Sequence, residues 1–371
     1  MVCCARRGCG LACWRAVVTT KDALAIMMAW HLLALATPLR AGVCGGKPLA
    51  PQSFPPFLDT YHTRSIELTE AAISDDSLRV TRGVAYGPAP HQLLDVWAPA
   101  ESDESTPMPI VVGIHGGGWE YGYPEWAGFP ALHICKASAL YVTPAYSLGE
   151  GHRQAWPDSR DDLLLALRWL STHAGEFSAD ASKLVLTGHS AGGHLASCLA
   201  LNPRLLVEAG LRPEAIKACF LVSCPLGLRA EDFAPKRWLW RLWIARWIGR
   251  PLVRKLYARV APQLRAVIGS PPDAAAAAEA SVLVSVCEAD PAALPALVHL
   301  SYGLQGDFPF CRPQARRLQA LLEALPPGGP HVEILELADA GHFDTHYELA
   351  DGSSEWHAAL RRCLAEISTA S

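Results

Sequence analysis

The chain has 371 residues, half of them hydrophobic, with a formal net charge of −4. That composition is ample for a large core and excludes a general nucleic-acid partner, whose binding needs a basic surface. Two domains fit the length, and so does one α/β domain of roughly 280 residues behind a leader; no internal repeat is apparent.

Residues 1–37 carry Arg6, Arg7, Arg15 and Lys21 against a single acid, Asp22, before an apolar run from Ala23 to Ala36. The run is too short, and too interrupted by His31, for a transmembrane helix. It reads as a signal-peptide core with Ala34-Leu35-Ala36 as the cleavage site. The long basic region equally suits a transit peptide or a short anchor, and a buried helix is the bland alternative. Residues 1–41 are therefore expected to be a targeting leader to the secretory pathway or an organelle, with membrane association and a cytoplasmic location both left open. Of twelve cysteines, Cys3, Cys4, Cys9 and Cys13 lie in this leader. The other eight are scattered, and Cys198, Cys219 and Cys287 sit in apolar segments as expected buried thiols. No Cys/His spacing makes a zinc site, and no cofactor is expected.

Residues 42–77 are rich in Pro, Gly and Ser and read as a linker or peripheral arm. Regular structure is expected from Leu78, with strands at Leu78–Tyr86 and Gln92–Trp97 joined through Gly87-Pro-Ala-Pro90 as a hairpin. Further apolar runs at Ile110–Ile114, Ala139–Tyr146, Lys183–Thr187, Ile216–Ser223, Ser281–Glu288 and Val332–Leu337 read as buried strands. Between them, Asp158–His173, Pro313–Leu325 and Ser354–Ile367 have helical leucine spacing. Strand alternating with helix predicts a mostly parallel sheet covered on both faces.

Two glycine-rich turns stand out. The run Lys183–Thr187 ends in Gly188-His189-Ser190-Ala191-Gly192, and a Gly-x-Ser-x-Gly turn between an apolar strand and a small-residue helix is a nucleophile elbow. The turn is too tight for side chains beside the serine, which would stand exposed at a helix N-terminus. About 75 residues upstream, the strand Pro109–Ile114 runs into His115-Gly116-Gly117-Gly118-Trp119. Consecutive glycines there leave backbone N–H groups free to face a developing oxyanion. Ala191 with Gly117, and with Gly116 or Gly118, would form that hole. Alone, either motif is an ordinary loop; together and in this order they are specific.

A serine hydroxyl needs a base within hydrogen-bond reach and an acid to orient that base. On this fold the acid precedes the histidine in sequence. The last expected strand leads into Ala338-Asp-Ala-Gly-His342, so His342 is the candidate base, in preference to His331, His346 and His357. The acid is expected after Ser281–Cys287, making Asp290 the candidate and Glu288 the runner-up; the bland reading of Asp290 is a turn-former before Pro291.

Gln92-Leu-Leu-Asp-Val-Trp97, His115-Gly-Gly-Gly-Trp119, Pro144-Ala-Tyr-Ser147, Trp156-Pro157 with Asp162, Ser178-Ala-Asp-Ala-Ser-Lys183 before the Ser190 turn, Glu288-Ala-Asp290 and Gly341-His342 together resemble the α/β-hydrolases of the hormone-sensitive-lipase-like, feruloyl-esterase-like and kynurenine-formamidase group. The resemblance covers residues 80–368. It implies an α/β-hydrolase fold over 78–371 with a helical cap insertion at about 229–265, and hydrolysis of a small carboxylic ester or an N-formyl amide such as N-formylkynurenine. Ser147 and Cys287 depart from it: many members carry Arg and Gly at those positions.

Residues 236–260 do not follow the group. They hold eight Lys or Arg, no acid and four tryptophans, with Trp240, Trp243 and Trp247 at helical spacing. The bland reading is a cap helix closing over the acyl pocket; the sharper one adds contact with a lipid surface. A different class of function, an inactive hydrolase relative used as a binding or membrane-associated module, is disfavoured because every candidate site position is filled. Oligomeric state is not legible.

Overall fold

The computed structural model describes residues 39–40, 43–44, 47–48, 52–53, 56–101, 106–150, 153–233, 264–269 and 272–369. The expected leader, apart from residues 39–40, and the tryptophan-rich stretch 236–260 lie outside the described residues.

Eight strands form one sheet: β1 (Leu78–Ala85), β2 (Leu93–Pro99), β3 (Met108–Ile114), β4 (Leu140–Pro144), β5 (Ala179–His189), β6 (Ile216–Val222), β7 (Leu297–Gly303) and β8 (His331–Leu337). Their spatial order is β8-β7-β6-β5-β3-β4-β2-β1. β1 and β2 pair antiparallel, with Leu78 opposite Pro99 and Ala85 opposite Leu93, as the hairpin chemistry predicts. β2 also runs antiparallel to β4, and every remaining pairing is parallel.

The central strands carry apolar runs because both faces of the sheet are covered. All seven residues of β3 are buried, and along β5 the pleat sends Leu184 and Leu186 to one core and Val185 to the other. The first core takes the helices Asp158–His173 and Ala191–Ala200 together with Cys311–Glu323. In Asp158–His173, Leu163, Leu167 and Leu170 recur at helical spacing on its buried face, and Asp158 and Asp161 in the first turn suit the positive end of the helix dipole. The second core takes Ala131–Lys136 and the C-terminal helix Glu355–Thr369, which buries Trp356, Leu360, Cys363, Leu364 and Ile367.

Two expectations are corrected. Regular structure begins before Leu78: Pro56–Ile73 is an 18-residue helix that buries Leu58, Tyr61, Ser65, Thr69 and Ala72. Tyr61 packs edge-on against Trp126 at 4.9 Å, and Trp126 Nε1–H donates to His62 Nδ1 at 2.8 Å. The arm is thus held by an aromatic cluster that its surrounding Pro, Gly and Ser hide in the sequence. Trp126→Ala is expected to cost about 3–5 kcal/mol of stability, read as a lower denaturant midpoint with the slope unchanged.

Ser281–Glu288 is not a strand but a helical turn, Val282–Ser285, followed by a 3-10 turn, Val286–Glu288. Val282, Leu283 and Val286 face the core at helical spacing, and a short valine-rich run cannot be told from a buried helix by periodicity. The strand in this region is β7, whose apolar Val298, Leu300 and Tyr302 alternate with buried His299 and Ser301.

Candidate active site

The C-terminal edge of the parallel strands collects the chemistry, as crevices in open α/β sheets do. β5 ends at His189, Ser190 follows at φ 55° and ψ −122°, and the helix Ala191–Ala200 begins immediately. That backbone is strained for a residue with a Cβ. It is held by a bond from Ser190 N–H to Val222 O at 2.9 Å and by the close approach of the next loop. A Cβ on Gly192 would lie 2.0 Å from Ile114 O, so only glycine lets the helix start against the end of β3. On the other side, Gly117 has φ 122° and a Cβ there would meet Tyr121 O at 2.1 Å. A Cβ on Gly116 would come 3.3 Å from Ser190 Cβ. Gly116 therefore passes close to the serine, Gly117 follows it in a turn that a side chain would block, and Ala191 opens the helix on the other side of Ser190.

Ser190 Oγ–H donates to His342 Nε2 at 3.0 Å. His342 Nδ1 is 2.8 Å from Asp307 Oδ1. A carboxylate only accepts, so the His342 proton sits on Nδ1 and Nε2 is left bare toward the serine. The carboxylate that meets His342 is thus Asp307, not the expected Asp290. Asp290 is exposed and accepts from Ala292 N–H at the start of the 3-10 turn Pro291–Ala293, and Glu288 is exposed as well. The signal that finds Asp307 is the run Leu297–Gly303 followed by Leu304-Gln-Gly-Asp307, an apolar strand and a glycine turn that its buried polar residues disguise.

Asp307 is well supplied with donors: Ser223 Oγ at 2.7 Å and Gly303 N at 3.0 Å on Oδ2, and Phe308 N at 2.7 Å on Oδ1. Burial pushes its carboxyl up, but the bond and charge of His342 with those from Ser223 and Gly303 outweigh it, and the net shift is downward. Ser223 Oγ also lies 2.8 Å from Thr345 Oγ1, which donates to His342 O.

His189, beside the serine, is buried, and its Nε2–H donates to the same His342 carbonyl at 2.8 Å. Burial, then the neighbouring His342 and His346, hold its pKa well below the ordinary value, so it is neutral and its N–H fixes the His342 loop. His115 stacks on Tyr146 at 4.3 Å and bonds Gly116 O. Burial lowers its pKa to about 4.

Of the two departures from the family pattern, Ser147 bonds Asp162 through both its N–H and its hydroxyl, alongside Gln92 and His91, and Cys287 ceases to be one, because it precedes Asp290 whereas Gly306 precedes Asp307. Cys287 is exposed, contrary to the expectation of a buried thiol, whereas Cys198 and Cys219 are buried. Among the described residues, Asp307, Cys311 and His342 bring ligand atoms within 4.8 Å of one another.

The BD-FAE family model matches residues 94–209. The probable carboxylic ester hydrolase LipM of Mycobacterium tuberculosis is 34% identical over 119 residues, 32% of this chain and 27% of LipM. Carboxylesterase NlhH of the same species is 35% identical over 105 residues, 28% of this chain and 31% of its own length. The chain thus spans less than a third of these curated relatives. Among solved structures, esterase B from Lactobacillus rhamnosis superposes with a TM-score of 0.59 at 19% identity, over 84% of this chain and 94% of that one. A truncated carbohydrate esterase from gut microbiota gives 0.60 at 16% identity, over 80% and 99%.

Proposed function

We infer, from the premise that this chain is an α/β-hydrolase, that it is a serine carboxylesterase acting on small esters. The observation that carries this reading is the hydrogen-bonded line from Ser190 through His342 to Asp307. The relatives' names support ester hydrolysis in the part of the sequence that they share. In the proposed reaction Ser190 Oγ attacks the ester carbonyl carbon while His342 Nε2 takes its proton, and Asp307 holds the imidazolium that forms. The N–H groups of Ala191 and Gly117, with Gly116 or Gly118, carry the tetrahedral oxyanion. Collapse expels the alcohol with the proton from His342, and water repeats the sequence to free Ser190 and release the acid.

Residues 236–260 lie outside the described residues; their composition supports delivery of the substrate from an anionic lipid surface, and residues 1–41 support targeting out of the cytosol. The experiment is hydrolysis by the full chain of p-nitrophenyl esters from acetate to decanoate, with N-formylkynurenine alongside. Turnover of short esters with a defined chain-length optimum is expected. A strong preference for N-formylkynurenine would make the chain an arylformamidase instead, and no turnover of any of them would favour a binding module.

A further inference from the structure

Cys311 opens the helix Cys311–Glu323 directly beneath the acid and base of the site, and nothing in the proposed ester chemistry uses its thiol. The residue is 2% exposed. Its Sγ, an Asp307 oxygen and a His342 ring nitrogen all lie within 4.8 Å of one another, and the Asp307–His342 pair is already at 2.8 Å. Tetrahedral Zn2+ holds sulfur at about 2.3 Å and nitrogen or oxygen at about 2.0–2.2 Å. The three donors need only small adjustments to share one ion. Ser223 Oγ, 2.7 Å from Asp307 Oδ2, stands beside the trio as a further oxygen. By contrast, Cys198 and His194, 3.5 Å apart, offer only two donors, and His194 Nε2 is already engaged by Ala280 O.

We infer that Asp307, Cys311 and His342 form a binding site for a thiophilic divalent cation of the Zn2+ or Cd2+ class, and that occupying it switches the ester-hydrolysing site off. A thiolate, an imidazole and a carboxylate together select Zn2+ or Cd2+ over Mg2+ and Ca2+, which prefer all-oxygen shells. Charge favours it too: a carboxylate, a thiolate and a neutral imidazole around a divalent cation sum to zero, which suits a buried site. On binding, the Cys311 proton leaves to solvent. The His342 proton moves from Nδ1, which the metal takes, to Nε2. Nε2 then faces Ser190 as a donor, and the serine has lost the base that accepts its proton.

The inhibition arm of the test rests on the esterase reading and the binding arm does not. With the full chain, Zn2+ should inhibit ester hydrolysis reversibly, with activity returned by a chelator, whereas Mg2+ and Ca2+ should not. Relative to each variant's own metal-free rate, Cys311→Ala should raise the half-inhibitory Zn2+ concentration by at least about 10–100-fold, a loss already seen when only an outer-shell partner of a ligand is removed. Cys311→Ser, which keeps the volume, should do the same if the alanine variant folds poorly. For binding, Cd2+ titrated into Ser190→Ala should give an ultraviolet thiolate-to-metal band whose difference from Ser190→Ala/Cys311→Ala amounts to one thiolate, whatever the other cysteines contribute. Inhibition equal in wild type and Cys311→Ala, or no difference band, would overturn the proposal. A difference band in a chain that hydrolyses no ester would keep the metal site and refute the esterase.

Discussion

Asp307→Asn is expected to lower kcat on a p-nitrophenyl ester by about 10⁴-fold, while Asp290→Asn is expected to leave kcat near the wild-type value and, as an ordinary surface change, stability within roughly ±0.5 kcal/mol. The contrast follows from the tautomer that the acid enforces. Asp307 Oδ1 accepts from His342 Nδ1 at 2.8 Å, which leaves Nε2 bare to take the Ser190 proton. An asparagine fills the same space, but its NH2 group can donate to Nδ1, which moves the imidazole proton to Nε2. The base then faces the serine with the wrong valence, and the imidazolium formed during acylation loses its carboxylate. Asp290 has no such part to play, being exposed and occupied with capping its own turn. Steady-state kinetics of both variants decides the matter: an active Asp307→Asn with an inactive Asp290→Asn would return the acid to the position expected from the sequence.

Ser190→Ala is expected to fall further, by about 10⁶-fold in kcat, because triad members act as a unit and the nucleophile cannot be replaced in part. A residual rate above water of roughly 10³–10⁴ would remain from the oxyanion donors and substrate binding. The substitution should leave the fold intact. Alanine inherits the backbone strain at φ 55° that serine already bears, and among the described residues the hydroxyl it removes serves only His342. Unchanged thermal unfolding with lost turnover is therefore the expected pair of results. Retained turnover would remove Ser190 from the mechanism.

The sheet, its two covering layers and both glycine turns were legible because each rests on a strong local signal. β3 is a continuous apolar run and β5 contains one, Leu184-Val-Leu186, and the turns that follow them carry glycines for which no other residue has room, Gly192 above all. His342 was legible by the same logic, lying just past the last strand. The acid was not, because β7 carries His299 and Ser301 inside its run, both buried although polar. Ser281–Glu288 offers three valines in a row of alternate positions and reads more like a strand than β7 does. With that run as the penultimate strand, position alone points to Asp290. The helix Pro56–Ile73 escaped for a different reason: its anchor is tertiary, a set of aromatic contacts to Trp126, and local propensity carries little of it.

The most direct test of the central claim is intact-mass and peptide mass spectrometry of the full chain after treatment with a fluorophosphonate. A single adduct mapped to Ser190, absent from Ser190→Ala and formed in step with loss of ester hydrolysis, is the result expected of an activated serine held by His342 and Asp307. An adduct on another residue, or full hydrolytic activity in a chain whose Ser190 is blocked, would contradict it.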